Sequence, residues 1–211
     1  MNPVIKKRLI RTLTLALVAL MIGGGVGWFQ IKNKKTEGKI TSAVAGTPLG
    51  GPFTLTNQTG QTVTEKLFQG RYILMYFGFA SCPAVCPTEL QKISKALKQL
   101  EKTHPALAKN VLPVFVTVDP ARDTPAVLKD YMSLYHPAFI GLTGTEKQIT
   151  AMKKNYGVYA AKVTEKEGSD YSMDHSSYIY VLGPDGGLLG LYTAKDPAEN
   201  ISGDLAKAIK P

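Results

Sequence analysis

The chain has 211 residues, 44% of them hydrophobic and 19% charged, which is the composition of a globular domain and not of a disordered or fibrous chain. Its formal charge of +9 is concentrated at one end: residues 1–39 hold eight Lys/Arg against one Glu, and the remainder is close to neutral, which argues against a nucleic-acid-binding surface. Two cysteines in one local motif exclude a disulfide framework and fit a catalytic or metal-binding pair better.

In chain order, Lys6, Lys7, Arg8 and Arg11 precede an uncharged stretch over residues 12–31, long enough to cross a bilayer core as a helix. Trp28 and Phe29 stand at its far end, where aromatic side chains favour the interface. Ala43-Val44-Ala45 resembles a signal-peptidase site but stands too far beyond the apolar stretch for ordinary processing. Lys32, Lys34, Lys35 and Lys39 nearly balance the charge across the span. The expectation is a short cytoplasmic arm (1–11), a single transmembrane anchor (12–31), a tether (32–50) and one domain (51–211) on the outer side.

Within the domain, alternation over residues 53–56 and 61–64 around Asn57-Gln58-Thr59-Gly60 predicts a β-hairpin. The run Tyr72-Ile73-Leu74-Met75-Tyr76-Phe77 predicts a buried strand through Phe79, and Leu90, Ile93, Leu97 and Leu100 predict a helix of about four turns. Residues 111–118 predict a second buried strand. Thr124-Pro125 reads as an N-cap with Pro at the first helical position, opening a helix to about Tyr135. A further helix is expected over 146–156, a hairpin over 177–182 and 188–193, and a terminal helix over 197–209. The order implies parallel strands joined by a right-handed crossover, with a late antiparallel hairpin. The predicted class is an α/β, thioredoxin-like fold with an N-terminal β-hairpin extension.

Cys82 and Cys86 fall in Cys82-Pro83-Ala84-Val85-Cys86-Pro87, at the turn from the first buried strand into the first helix. A helix N-terminus stabilises thiolate there. Positions i and i+4 share a helix face, so the two sulfurs can either close a disulfide or converge on one ion. Two thiolates alone suit Cu(I), whereas Cu(II) or zinc calls for an imidazole as well. His104 and His136 each precede a proline in a loop or at a helix end. His175 precedes a strand expected to run antiparallel to the cysteine-bearing one, which brings it to the cysteine end of the sheet. Asp174 is a candidate to orient its imidazole. Redox chemistry and soft-metal binding both remain open at this point.

These residues resemble the Sco/SenC family of copper-binding, thioredoxin-like assembly proteins, from about Gly51 to Lys207. The resemblance rests on Gly51-Pro52-Phe53, Tyr76-Phe77-Gly78-Phe79, the cysteine motif, Val118-Asp119-Pro120-x-Arg122-Asp123-Thr124-Pro125, Gly141-Leu142-Thr143-Gly144, Asp174-His175-Ser176 and Gly183-Pro184-x-Gly186. It implies copper, as Cu(I) or Cu(II), held by Cys82, Cys86 and His175. It implies copper delivery during assembly of the binuclear copper centre of cytochrome c oxidase, with the copper-bearing oxidase subunit as partner. Other copper chaperones or thioredoxin-like reductants are further partners it suggests. The alternative is a thiol-disulfide oxidoreductase that uses Cys82 and Cys86 as its redox pair on the oxidase subunit's copper-site cysteines. A peroxidase is the weakest reading, because fold alone does not establish it. The expected location is a bacterial inner membrane with the domain in the periplasm, since an anchor starting near residue 12 leaves no room for a long mitochondrial transit peptide. Two departures from the family pattern, Ala84 and Asn57, stand where Asp is common, and neither is a proposed ligand. The resemblance puts Asp119, Arg122 and Asp123 near the site or in a partner-facing loop, and a salt-bridged, helix-capping turn is the alternative.

Overall fold

The computed structural model describes residues 49–164 and 171–208. The expected arm and anchor, and all of the tether except Leu49 and Gly50, lie outside the described residues. Among the described residues no helix is long and apolar enough to cross a membrane.

The N-terminal hairpin pairs β1 (Thr54–Asn57) with β2 (Thr62–Thr64), Leu55 opposite Val63. Its turn is held by Asn57, whose Oδ1 accepts from the backbone N–H of Thr59 and of Gln61. Asp could make the same acceptor contacts, so the departure at this position costs the turn nothing. A 3-10 turn, Glu65–Phe68, leads to β3 (Tyr72–Gly78). Every residue of β3 after Tyr72 is buried, the mark of a strand covered on both faces.

Helix α1 (Val85–Thr103) buries Cys86, Leu90, Ile93, Leu97 and Leu100 along one stripe, as the 3.6-residue period requires. Glu89 on the same helix is fully buried, and both of its oxygens accept from Lys92 Nζ at 3.0 Å. Lys92 Nζ also donates to the Thr193 carbonyl at 2.9 Å. The buried charge is therefore paired, and the pair ties α1 to the end of the late hairpin. A short helix, α2 (Pro105–Ala108), precedes β4 (Val111–Thr117), which is buried throughout. Helix α3 (Pro125–Met132) starts as expected: the Thr124 hydroxyl accepts from the Val127 N–H. It ends earlier than predicted, at Met132.

Strand β5 (Ile140–Thr143) has no counterpart in the sequence reading, because four residues that include Gly141 carry no clear alternation. Helix α4 (Glu146–Asn155) opens on a capping box between Thr145 and Gln148. Next come β6 (Ala160–Val163) and β7 (Ser172–His175), then β8 (Ile179–Leu182), β9 (Leu188–Tyr192) and α5 (Ala198–Ala208), which packs on α1.

The seven-stranded sheet runs β2-β1-β5-β4-β3-β8-β9. β3, β4 and β5 are parallel neighbours, and β8 is antiparallel to β3 with Tyr76 opposite Ile179. The N-terminal hairpin joins the sheet through β1 on β5. Among the described residues β6 and β7 pair only with each other, in a separate two-stranded ribbon. This ribbon was not expected from the sequence, and it carries His175.

Candidate metal centre

The site lies where β3 hands over to α1. Cys82 sits in the connecting turn, with its N–H donating to the Phe79 carbonyl at 3.2 Å. Ala84, at the helix N-cap, offers no side-chain oxygen. The Cys82 sulfur takes that place and accepts from the Cys86 N–H at 3.4 Å. A helix N–H left without an intrahelical partner thus points at a sulfur, which favours thiolate over thiol.

His175 reaches the site at the end of β7. Its Nε2 is 3.4 Å from Cys86 Sγ. The two sulfurs and one imidazole nitrogen all lie within 4.8 Å of one another. The ring is held edge-on to Phe79 (5.8 Å between centroids) and Tyr76 (6.2 Å). Its Nδ1 is 2.9 Å from the Ser176 carbonyl. A carbonyl can only accept, so Nδ1 carries the proton, and in the neutral ring the Nε2 lone pair faces the sulfurs. That orientation suits a ligand for a soft metal ion.

The sequence assigned the orienting role to Asp174, and the geometry gives it to the Ser176 carbonyl. Along β7 side chains alternate, so Asp174 points away from the face that carries His175 and is exposed. His136 is buried elsewhere: Ala138 N–H donates to its Nδ1, and its Nε2 lies 3.1 Å from Glu101. It lines a cavity with Arg71 and Val111, near the starts of β3 and β4 and so at the other end of the sheet. His104 is exposed.

The two thiols differ sharply in electrostatics. Cys82 is lowered to about 4, first by a hydrogen bond from the Cys86 thiol, against the opposing effect of burial. Cys86 is pushed far up, by sharing that proton with Cys82 and by its own burial. One proton is in effect held between two sulfurs, with the charge on the one nearer the surface. Tyr76, fully buried, places its hydroxyl 3.9 Å from Cys86 Sγ. Ala84 is exposed beside the pair. Introducing a carboxylate there by Ala84→Asp should raise the Cys82 pKa, as read by thiolate absorbance against pH; an unchanged or lower value would contradict the charge argument.

Gly78, the last residue of β3, was not singled out by the sequence beyond its place in a motif. A Cβ added there would lie 2.8 Å from Cys86 Sγ, 3.0 Å from Tyr76 Cε1 and 3.1 Å from Phe115 Cε2. Glycine at this position makes room for the sulfur. Gly78→Ala should destabilise the domain by about 1–3 kcal/mol through overpacking. Because the sulfur is the nearest atom, it should also displace Cys86 and weaken metal binding; thermal melts and metal affinity measured on one preparation check both, and unchanged values in both would refute the close-approach argument.

A two-cysteine, one-histidine cluster at the helix-start of a thioredoxin-like sheet is a specific arrangement, and comparison with known proteins agrees with it. The SCO1/SenC family model matches residues 41–210. The chain belongs to the SCO1/SenC family. This SCO1/SenC chain is 37% identical over 200 residues to the bovine protein called SCO2 homolog, mitochondrial, covering 92% of this chain and 74% of that one. A solved structure of Bradyrhizobium japonicum ScoI with copper bound superposes with a TM-score of 0.69 at 41% identity, covering 76% of this chain and 99% of the other. BsSco, described as a Sco-family cytochrome c oxidase assembly protein with a disulfide switch, superposes with a TM-score of 0.59 at 28% identity over 78% of this chain and 96% of its own. The thioredoxin-like Sco fold expected from the sequence is the fold of this chain.

Proposed function

We propose that this chain binds copper through Cys82 Sγ, Cys86 Sγ and His175 Nε2 and hands it on during assembly of the binuclear copper centre of cytochrome c oxidase. The observation that carries the reading is the convergence of these three donors within 4.8 Å in a SCO1/SenC chain. Two soft thiolates and one imidazole suit copper in either oxidation state. Membership of a family with copper-bound and oxidase-assembly members supports the cargo and the destination. The partner is then the copper-bearing oxidase subunit. The test is transfer: the copper-loaded chain is mixed with the reduced, copper-free domain of that subunit, and the metal is followed by its charge-transfer absorption. Copper should move to the subunit with second-order kinetics. Retention on this chain with a competent acceptor present would contradict the delivery role.

A second reading is favoured by the depressed Cys82 thiol. Here the Cys82 thiolate attacks a disulfide between the subunit's copper-site cysteines and forms a mixed disulfide. Cys86 then displaces the subunit. The target leaves with two thiols, and Cys82–Cys86 leaves as a disulfide, so two electrons pass from this pair to the target. Cys86→Ser should trap the mixed disulfide on a non-reducing gel. A failure to trap it with oxidised subunit in excess would count against this reading.

The topology proposed with this function is a cytoplasmic arm (1–11), a membrane anchor (12–31), a tether (32–50) and a copper-binding domain (51–211) in the bacterial periplasm. The uncharged stretch of residues 12–31, with its basic flank, supports it. Protease added to spheroplasts should cleave the domain and spare the arm.

A further inference from the structure

The turn after β4 is bonded to both segments that carry the ligand atoms. On one side, Asp123 Oδ2 accepts from the Ala80 N–H at 3.0 Å and from Thr117 Oγ1 at 2.6 Å. Ala80 is two residues before Cys82, so a buried carboxylate fixes the start of the cysteine turn to β4. On the other side, Arg122 Nε donates to Asp119 Oδ2, and its Nη1 donates to the Tyr171 carbonyl at 2.9 Å. The guanidinium lies 4.0 Å from the centre of the Tyr171 ring, whose hydroxyl donates to Asp119 Oδ1 at 2.9 Å. Tyr171 leads directly into β7, which ends on His175.

This second connection matters because the β6–β7 ribbon is not part of the main sheet. His175 itself pairs with Ala160 in that ribbon, and the ladder to the cysteine-bearing strand, Ile179 opposite Tyr76, begins four residues further on. The Asp119–Arg122–Tyr171 clamp supplies a fixed point at the entry to β7. Arg122 also stands 5.8 Å from the Phe79 ring, and Phe79 packs edge-on against His175. The arginine is therefore placed between the cysteine turn and the histidine ribbon. We infer that Arg122 is a positioning residue for the histidine ligand: it sets where His175 stands relative to Cys82 and Cys86, through Tyr171 and Phe79, without itself contacting the metal. The inference rests on the three-donor copper reading proposed above.

Lysine is the informative replacement. It keeps a positive charge for the buried Asp119 carboxylate, so that charge is not left alone. It cannot donate in a fork to Asp119 and the Tyr171 carbonyl while stacking on the ring. Arg122→Lys should therefore loosen the histidine ribbon and leave the cysteine turn, held by Asp123, in place.

The experiment compares wild type and Arg122→Lys as purified full-length chains. Three quantities are read: Cu(I) affinity against a chromophoric chelator, imidazole nitrogen coupling in the electron paramagnetic resonance of the Cu(II) adduct, and the thiol-disulfide equilibrium constant of Cys82–Cys86 in a glutathione buffer. In Arg122→Lys, copper affinity should fall about tenfold, the low end of the effect of losing a supporting contact around a metal site. The nitrogen coupling should weaken or vanish, and the thiol-disulfide constant should stay within about twofold of wild type, since Asp123 still holds the turn. Wild-type affinity and coupling in the variant would overturn the inference. A fall in affinity accompanied by an equal shift of the thiol-disulfide constant would also overturn it, since that is general loosening and not displacement of one ligand. Absence of imidazole coupling in the wild-type chain would overturn the three-donor reading itself, and the role of Arg122 with it.

Discussion

Copper binding is expected to fall from about one ion per chain to none in Cys82→Ser and in Cys86→Ser, and to persist, weakened, in His175→Ala. The sulfurs are the soft donors, and a serine hydroxyl stays protonated at neutral pH and offers a hard oxygen instead. Cys86 is fully buried among Tyr76, Gly78 and His175, so no other donor can reach its place. Removing the imidazole is milder. A dithiolate can hold Cu(I) on its own, whereas Cu(II) loses a preferred nitrogen donor. The His175→Ala effect should therefore be much larger for Cu(II) than for Cu(I). Metal analysis after gel filtration gives the stoichiometry, and chelator competition gives the affinities. Equal losses for the two oxidation states would contradict this assignment of roles.

The second large effect is on reactivity and its pH dependence. Cys82 is lowered from 9.0 to about 4, so it is thiolate across the neutral range. A thiolate of low basicity is also a weaker nucleophile, with a Brønsted slope of about 0.4–0.5. At pH 7 the two factors nearly cancel, and alkylation of Cys82 should be no faster than that of an ordinary cysteine. The distinguishing result is the slope. Between pH 5.5 and 7.5 the rate at Cys82 should be flat, while a free thiol accelerates about 100-fold over the same two units. Cys86, pushed up, should stay unmodified. Mass spectrometry after brief iodoacetamide treatment reads both, and a rate climbing tenfold per unit at Cys82 would refute the lowered pKa.

The same shift has a consequence for stability. Below about pH 4 Cys82 is protonated in both the folded and the unfolded chain. Between about 4 and 9 the folded chain has lost a proton that the unfolded chain keeps, so raising pH favours folding through that window. The contribution is complete above pH 9 and disappears as pH falls through about 4. Cys86 acts the other way, and only above pH 9, where the unfolded chain loses a proton that the folded one holds. The stability difference between the reduced, metal-free wild type and Cys82→Ser should accordingly grow in favour of the wild type from pH 5 to 8 in urea titrations.

Much of this was legible from local signals. The stripe of Leu90, Ile93, Leu97 and Leu100 located α1, and the buried run from Tyr72 located β3, so the cysteine turn between them followed. His175 was reachable by one topological step, the antiparallel pairing of its following strand with β3, which the register of Tyr76 with Ile179 bears out. The ribbon on which His175 sits was not legible. Ala160–Val163 and Ser172–His175 are four-residue strands with no fully buried face, so neither produces a hydrophobic period. Asp174 was misassigned for a related reason: its neighbour in sequence is opposite to it across the strand. The supporting contacts escaped because they are distant in the chain. Asp123 meets Ala80 across 43 residues and Arg122 meets Tyr171 across 49, and no spacing rule joins such pairs. Gly78 escaped because its role depends on where Cys86 Sγ comes to rest, which only the packed structure reveals.

The three donors are the feature on which copper binding depends. X-ray absorption of the copper-loaded chain, recorded for Cu(I) and Cu(II) on wild type and on His175→Ala, measures them directly. The prediction is a first coordination shell of two sulfurs and one imidazole nitrogen in the wild type, with the nitrogen and its outer-ring scattering lost in the variant. A shell of sulfur alone in the wild type, or a spectrum that His175→Ala leaves unchanged, would contradict it.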